Sequence, residues 1–523
     1  MAQQSTTIAK AGRTEWIALA VLALPTLLLS LDVSVLYLAL PNLSSDLGAS
    51  STQQLWIMDI YSFMLAGFLV TMGTLGDRIG RRRLLLIGAA AFGVASVLAA
   101  YAQSSMMLIG ARALLGIAGA TLMPSTMALI RNMFHDPKQM AGALGLWFSC
   151  FMGGMAIGPL IGGLLLETFW WGSAFLLGVP FMILLLVVGP VLLPEYRDEN
   201  AGRLDLTSVA LSLVAVLPVI YGLKELARAG VTGGAVAAVA AGVAFGVVFA
   251  RRQRKLTHPL LDLRLFANRS FTASLGVNLL GGIVMAGVSL VATLYLQVVR
   301  GLSPLHAGLW LVPQFVVMAG CMMVLAPVLG HRFRAAYVVA IGLTISATGI
   351  LLLTQVGTDS LGLLVVGLVL ATGGIALPMS VGMNLVLASA PPEKAGSAAS
   401  LLETCGEFGV AMGVASLGSL ATFVYRSQLA DNIPAGVPAA SARAARESIN
   451  EAATAAAHLP GSVGTDLLDV ARSAFTAGLN TVAGVGAGLF AALAVVAVLT
   501  LRKVAVTDDA IEAVASVAEV SQS

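Results

Sequence analysis

Long apolar stretches separated by short polar connections recur from one end of the chain to the other. A helix crossing a hydrocarbon core about 30 Å thick needs roughly 20 mostly apolar residues. Stretches of that kind begin near Trp16, Thr52, Leu84, Met106, Met140, Trp170, Leu204, Val231, Ser270, Ala307, Ala335, Leu361, Gly396 and Thr476. The pattern predicts an all-α polytopic membrane protein with 14 transmembrane helices. A polar break from Pro194 to Asn200 and a basic one from Arg251 to Lys255 bracket two of these helices. The expected domains are therefore a six-helix bundle over 1–203, an inserted helix pair over 204–255 and a second six-helix bundle over 256–523, with a long external connection at 426–475. Gly76-Asp77-Arg78-Ile79-Gly80-Arg81 has a degenerate echo in Gly330-His331-Arg332-Phe333-Arg334. Parallel repeats of this sort place a substrate path at their interface. Within the long connection, Ala442 to His458 reads as an alanine-rich helix, a solvated hairpin in preference to a lid.

Composition turns this pattern into a statement about solvent. The chain has 523 residues, of which 58% are hydrophobic and only 11% charged, with a mean hydropathy of +0.92. A soluble fold of this length could not bury that much apolar surface, so the lipid bilayer is the expected partner. With the N-terminus in the cytoplasm, most of the 29 basic residues, including Arg81, Arg82, Arg83, Arg251, Arg252, Arg254 and Lys255, fall on the inner side. The positive-inside rule thus selects a multi-pass protein of the bacterial inner membrane with both termini cytoplasmic. A net charge of +3, spread along the flanks of spans, gives no nucleic-acid surface. Met1 to Arg13 reads as a short cytoplasmic tail, because the apolar run after it is too long for a signal-peptide core. Cys150, Cys321 and Cys405 lie inside spans without paired spacing, so neither a disulfide framework nor a metal site is expected. No phosphate-binding loop and no nucleophile–base set occurs, which disfavours an ATP-driven pump and an enzyme. No cofactor is expected.

Charges inside spans are the candidate chemistry, since each costs roughly 2.5–3.5 kcal/mol on insertion scales. Asp32, Asp59, Arg112, Glu403 and Glu407 are of this kind. At about 1.5 Å per residue, Asp32, Asp59 and Arg112 share the outer half of the membrane and can form one polar cluster, functional or a structural ion pair. Glu403 and Glu407 are spaced i, i+4 on one helix face, with no basic residue near them in sequence. Two carboxylates in low dielectric do not both ionise cheaply, so such a pair is suited to hold a proton or an organic cation in alternation. Tyr37, Trp56, Tyr61, Trp147, Phe148, Phe151 and Trp310 are possible cation–π contacts, against ordinary helix packing as the plainer reading.

Three stretches resemble a known family. Gly73-Thr74-Leu75-Gly76-Asp77-Arg78-Ile79-Gly80-Arg81-Arg82-Arg83 is similar to the loop signature of the major facilitator superfamily, and Gly153 to Gly163 is similar to its antiporter signature. Leu31-Asp32-Val33-Ser34-Val35-Leu36-Tyr37-Leu38-Ala39-Leu40-Pro41 resembles the first-span motif of the fourteen-span drug:proton antiporters, with Tyr37 where many members carry Asn. Among these the chain looks most like the quaternary-ammonium efflux pumps. The resemblance implies the MFS transporter fold and a proton gradient as the driving force. It implies that Asp32 and Glu403 serve proton coupling or cation recognition and that Arg112 tunes the first-span acid. It further implies that Gly73, Asp77, Arg78, Gly80 and Arg81 form the cytoplasmic gate, while Gly154, Gly158, Pro159, Gly162 and Gly163 form a kinked packing surface. Some relatives carry a further acid in span ten, but Gln314 to Leu329 has none, which implies a preference for monovalent over divalent cations. The expected function is alternating-access export of small lipophilic cations in exchange for protons, by a functional monomer. The rival reading is a proton-coupled exporter of a metabolite, lipid or siderophore.

Overall fold

The computed structural model describes residues 11–134, 136–195, 197, 205–229, 232–256, 263–388 and 395–501. Among these every regular element is helical. In chain order they are α1 (Arg13–Leu47), α2 (Ser51–Ile79), α3 (Arg81–Ala100), α4 (Ser105–Met133), α5 (Pro137–Thr168), α6 (Ser173–Leu176) and α7 (Gly178–Leu192). There follow α8 (Leu206–Ala229), α9 (Gly233–Gln253), α10 (Arg269–Leu294), α11 (Pro304–Gly320), α12 (Ala326–Arg332), α13 (Ala335–Leu353) and α14 (Leu361–Ala388). The last four are α15 (Ala395–Asn432), α16 (Ala439–Glu447), α17 (Ile449–Ala457) and α18 (Ser462–Leu501).

Eleven helices among the described residues are long and apolar enough to cross a membrane, twelve if the bent α5 counts as one span. That is fewer than the expected 14. α2 and α8 are not among the eleven. Both nonetheless pack in the same array as the others. Outward-facing side chains are apolar along many helices: Val187 and Val191 are 68% and 83% exposed. Water is a poor solvent for such a surface and lipid a good one.

Packing repeats between the two halves. In the first, α1 lies on α5, α2 on α4, α3 on α4 and α3 on α7; in the second, α10 lies on α15, α11 on α14, α13 on α14 and α13 on α18. The halves meet along two seams, α2 with α15 and α5 with α11. Between them, α8 pairs with α9 and leans on both α2 and α15, so the inserted hairpin straddles one seam. Gly67 of α2 makes room for Leu213 of α8 at that contact.

The hairpin is clamped at its open end. Arg252 at the end of α9 grips Asp205, just before α8, through Nε and Nη2 at 2.8 and 2.9 Å. The Arg252 hydrogen bond holds the Asp205 carboxyl well below the usual carboxylate range, helped by the Ser208 hydroxyl. A carboxyl whose pKa is depressed on folding stabilises above its unfolded pKa and loses that contribution only as pH falls through the folded value. Asp205→Asn is therefore expected to lower the melting temperature in detergent by the same amount at about pH 5.5 and about pH 8. A deficit that vanished at the lower pH would show that the pair does not stay charged.

The connection between the last two long helices departs from expectation. Both helices run on beyond the bilayer-sized stretch, so it narrows to 433–461, and its two short helices are not a free hairpin. Ala445, Ile449, Ala452 and Ala456 are buried in the main core. The Tyr425 hydroxyl donates to the Ala445 carbonyl at 2.7 Å, and Arg426 pairs with Glu447 at 3.0 Å.

Candidate functional site

Both seams are closed at the end remote from the two termini. Where α5 meets α11, an added Cβ on Gly163 would collide with the Leu305 backbone, and one on Gly308 with the carbonyl of Pro159. Just above, the Ser303 hydroxyl, which caps α11, joins Glu167 of α5 to His306. On the other seam, Gly418 of α15 receives Leu55 of α2. A cavity of about 50 Å³ remains there, lined by Leu40, Gln54, Leu55, Tyr425, Ile449 and Phe475 among others, far too small for an organic cation.

The antiporter-like segment explains the first closure. Gly154, Gly158 and Gly162, at i, i+4 and i+8, face α1, where Ser30, Ser34 and Val35 would clash with any side chain. Gly163 and Pro159 face α11 instead. Pro159 cannot donate to the carbonyl four residues earlier, and α5 bends by 41° between Met155 and Ile157. One segment thus serves two crossings. Gly308→Val is expected to force α5 and α11 apart and lower transport by roughly five- to a hundredfold at unchanged membrane expression, overpacking being worth about 1–3 kcal/mol. Gly153→Ala, a site with nothing within 4 Å, serves as the silent control in the same transport assay.

Buried charges meet on the other seam. Asp32 of α1 and Arg112 of α4 form an ion pair at 2.6 Å, with Asp32 9% and Arg112 1% exposed. Arg112 Nε also donates to the Ile57 carbonyl of α2 at 3.2 Å. Asp59 is fully buried. Glu407 of α15 lies beside Ser62 of α2, so the acidic pair on the second half reaches across to the first. Glu403 lies one turn away, and its buried Oε1 has no hydrogen-bond partner among the described residues. Tyr37 feels the charges of Glu407, Asp59 and Arg112, and Tyr61 those of Asp32, Arg112, Glu403 and Glu407. Sequence spacing places these groups in two separate clusters; the fold sets both against α2, which gives its Ile57 carbonyl to Arg112 and its Ser62 to the neighbourhood of Glu407.

The packing that permits this is glycine-based. Gly406, Gly409 and Gly413 of α15 lie against α10, whose Leu279 and Ile283 carbonyls would clash with side chains at the latter two positions. Asn278 of α10 donates to the carbonyl of Leu402 at 2.6 Å, fixing α15 beside Glu403. Ser62 and Asn278 were not singled out from sequence, since an isolated neutral polar residue in a span carries no signal of its own.

The aromatic candidates separate. Tyr37 and Trp56 are half-buried near the seam, Trp56 edge-on to Phe63. Trp147 is buried. Phe151 packs with Met155, Met318 and Met322 between α5 and α11, a polarizable surface that adapts to varied shapes. Trp310 stands on the exposed face of α11, 42% accessible beside Leu309, because Ala307, Gly308 and Leu311 turn inward; it does not join the cluster. Tyr61 is only 2% exposed and has the Arg112 guanidinium 4.5 Å above its ring, which leaves it no face for a ligand there. The side chain of Phe148 lies outside the described residues.

The gate-like loop is also built differently in detail. Gly80 has φ +108°, a conformation that favours glycine, and a side chain there would meet the Glu195 carboxylate. Glu195 accepts from the Arg82 backbone N–H at 3.1 Å and lies 3.5 Å from its guanidinium. Arg82 also donates to the carbonyls of Pro190 and Leu193, so it ties the loop to the end of α7. Arg81 is buried, Arg78 is exposed and Gly73 has open space around it. The side chain of Asp77 lies outside the described residues.

Dry carboxylates on a seam between two repeated halves have one evident use in a bilayer, which is to carry something through it: the protein is a polytopic membrane transporter. It belongs to the Major Facilitator Superfamily, whose sequence profile matches residues 22–414. The chain is 44% identical to the multidrug efflux pump LfrA of Mycolicibacterium smegmatis, over 93% of this chain and 96% of that protein. It is 35% identical to the methyl viologen resistance protein SmvA of Salmonella typhimurium, over 88% and 93%. It is 31% identical to the tetracenomycin C resistance and export protein of Streptomyces glaucescens, over 92% and 91%. In fold it is similar to a bacterial homologue of the human lysosomal transporter Spinster, with a TM-score of 0.66 at 16% identity over 95% of this chain and all of that one.

Proposed function

We propose that the chain is a proton-driven antiporter of the bacterial inner membrane that exports lipophilic cations by alternating access. It would have 14 spans and both termini cytoplasmic. The observation that carries this reading is the seam cluster: beyond the Asp32–Arg112 pair, Asp59, Glu403 and Glu407 are held among apolar helices at the contact of the two halves. Such carboxylates hold either protons or a cation. With the termini cytoplasmic, the closed end would face outside, and the substrate would load from within. A cation drawn to Glu403 and Glu407 displaces their protons. Once the halves rock and the outside opens, protonation from the more acidic medium releases it. The names of the relatives, multidrug efflux and methyl viologen resistance, support a cationic substrate.

The test is ethidium movement in proteoliposomes under an imposed pH gradient. Uptake that ignores both the gradient and a protonophore would overturn the antiport reading. The rival reading, export of an uncharged metabolite, draws on the tetracenomycin C exporter; it requires neutral aromatic compounds to be moved as fast as ethidium in the same vesicles.

A further inference from the structure

Arg112 is held from three sides. Asp32 takes Nη1, the Ile57 carbonyl takes Nε, and the ring of Tyr61 lies against the guanidinium, 4.5 Å from Cζ to the centroid. The third contact is built into α4. Gly116 and Gly119 follow Arg112 at i+4 and i+7, on one helix face, and both are occupied by Tyr61. A side chain at 116 would collide with the Tyr61 carbonyl, and one at 119 would stand 3.2 Å from its hydroxyl. Gly116 thus admits the α2 backbone at Tyr61, and Gly119 leaves room for the far end of its side chain. Its hydroxyl is buried and has no hydrogen-bond partner among the described residues. Whatever this residue contributes comes through the ring and not through the hydroxyl.

We infer that Tyr61 is a positioning residue for proton coupling: its ring fixes the Arg112 guanidinium against Asp32 and so sets how readily the first-span carboxylate exchanges its proton. The inference rests on the antiport reading above. A flexible arginine without this seat has other carboxylates in its surroundings, Asp59 on the same helix as Tyr61 and Glu403 and Glu407 on α15. The aromatic face leaves Asp32 as the acid within reach at 2.6 Å. A leucine of similar bulk has no quadrupole to attract the cation. With it, Arg112 is free to leave Asp32, and the first-span carboxylate then holds its proton more tightly.

The experiment compares wild type, Tyr61→Leu, Tyr61→Met and Tyr61→Phe in proteoliposomes, reading gradient-driven ethidium transport against pH and, separately, equilibrium binding of tetraphenylphosphonium without a gradient. Tyr61→Leu and Tyr61→Met are expected to lose roughly tenfold in driven transport, the size of a desolvated cation–π contact. Their pH profile shifts to higher pH while cation binding stays within about twofold. Tyr61→Phe restores both rate and profile. The inference is overturned if the aliphatic variants keep the wild-type pH profile, if Tyr61→Phe fails as they do, or if they lose cation binding with the profile intact. If Tyr61→Leu does not fold, the unbranched Tyr61→Met decides alone. Failure of the antiport reading shows separately, as wild-type transport that ignores the gradient.

Discussion

Replacing Glu403 and Glu407 together with glutamine is expected to abolish gradient-driven efflux while leaving a folded transporter in the membrane. The two side chains share one face of α15 and stand at its contact with α2, where Ser62 lies beside Glu407. Glutamine keeps shape and hydrogen bonding but removes both the proton site and the charge. A cation about 4 Å from a carboxylate at an effective dielectric near 20 gains about 4 kcal/mol, and each 1.4 kcal/mol or so is tenfold. Ethidium transport should therefore fall by more than about a hundredfold. Stability should not fall with it, since buried charges destabilise a fold unless compensated, so a melting temperature equal to or above wild type is expected. Undiminished gradient-driven transport in the double variant would remove the proposed exchange site. A collapse of both transport and melting temperature would instead reveal the pair as structural.

How much of this was legible beforehand depends on the length scale of the signal. Spans advertise themselves, because each is a local run of apolar residues, and α1, α3, α4 and α10 begin close to where hydropathy places them. The repeat was legible only as a faint echo between Gly76–Arg81 and Gly330–Arg334; the repetition of helix contacts is far clearer than that echo. Candidate charges were legible one at a time, through the penalty for placing them in lipid. Their assembly was not, since Asp59 and Glu407 are hundreds of residues apart and nothing in either segment names the other. The hairpin between α15 and α18 escapes sequence reading for a related reason. Alanine carries little burial signal, so Ala445, Ala452 and Ala456 read as a solvated helix although all three pack into the core. Tyr61 illustrates the same limit: an aromatic near acids reads equally as a ligand contact or as a support for a cation, and only the position of Gly116 and Gly119 beneath it decides.

The ion pair between Asp32 and Arg112 allows structure and coupling to be separated. Removing one partner strands the other charge at a site where both side chains are almost wholly enclosed, and breaking a buried pair in this way costs about 3–5 kcal/mol. Arg112→Met alone is thus expected to lower the melting temperature in detergent sharply, and Asp32→Asn alone to do the same. Replacing both at once leaves no orphan charge, and swapping a buried pair for uncharged groups of similar size is often neutral or stabilising. The double variant should accordingly melt near wild type. If the pair were only a strut, transport would return along with stability. If it is part of the proton path, the double variant stays folded yet fails to couple ethidium export to the gradient, because the substituted asparagine offers no site for the proton that Asp32 exchanges. Full recovery of driven transport in that variant would confine coupling to Glu403, Glu407 and Asp59 and leave the first-span acid a purely structural role.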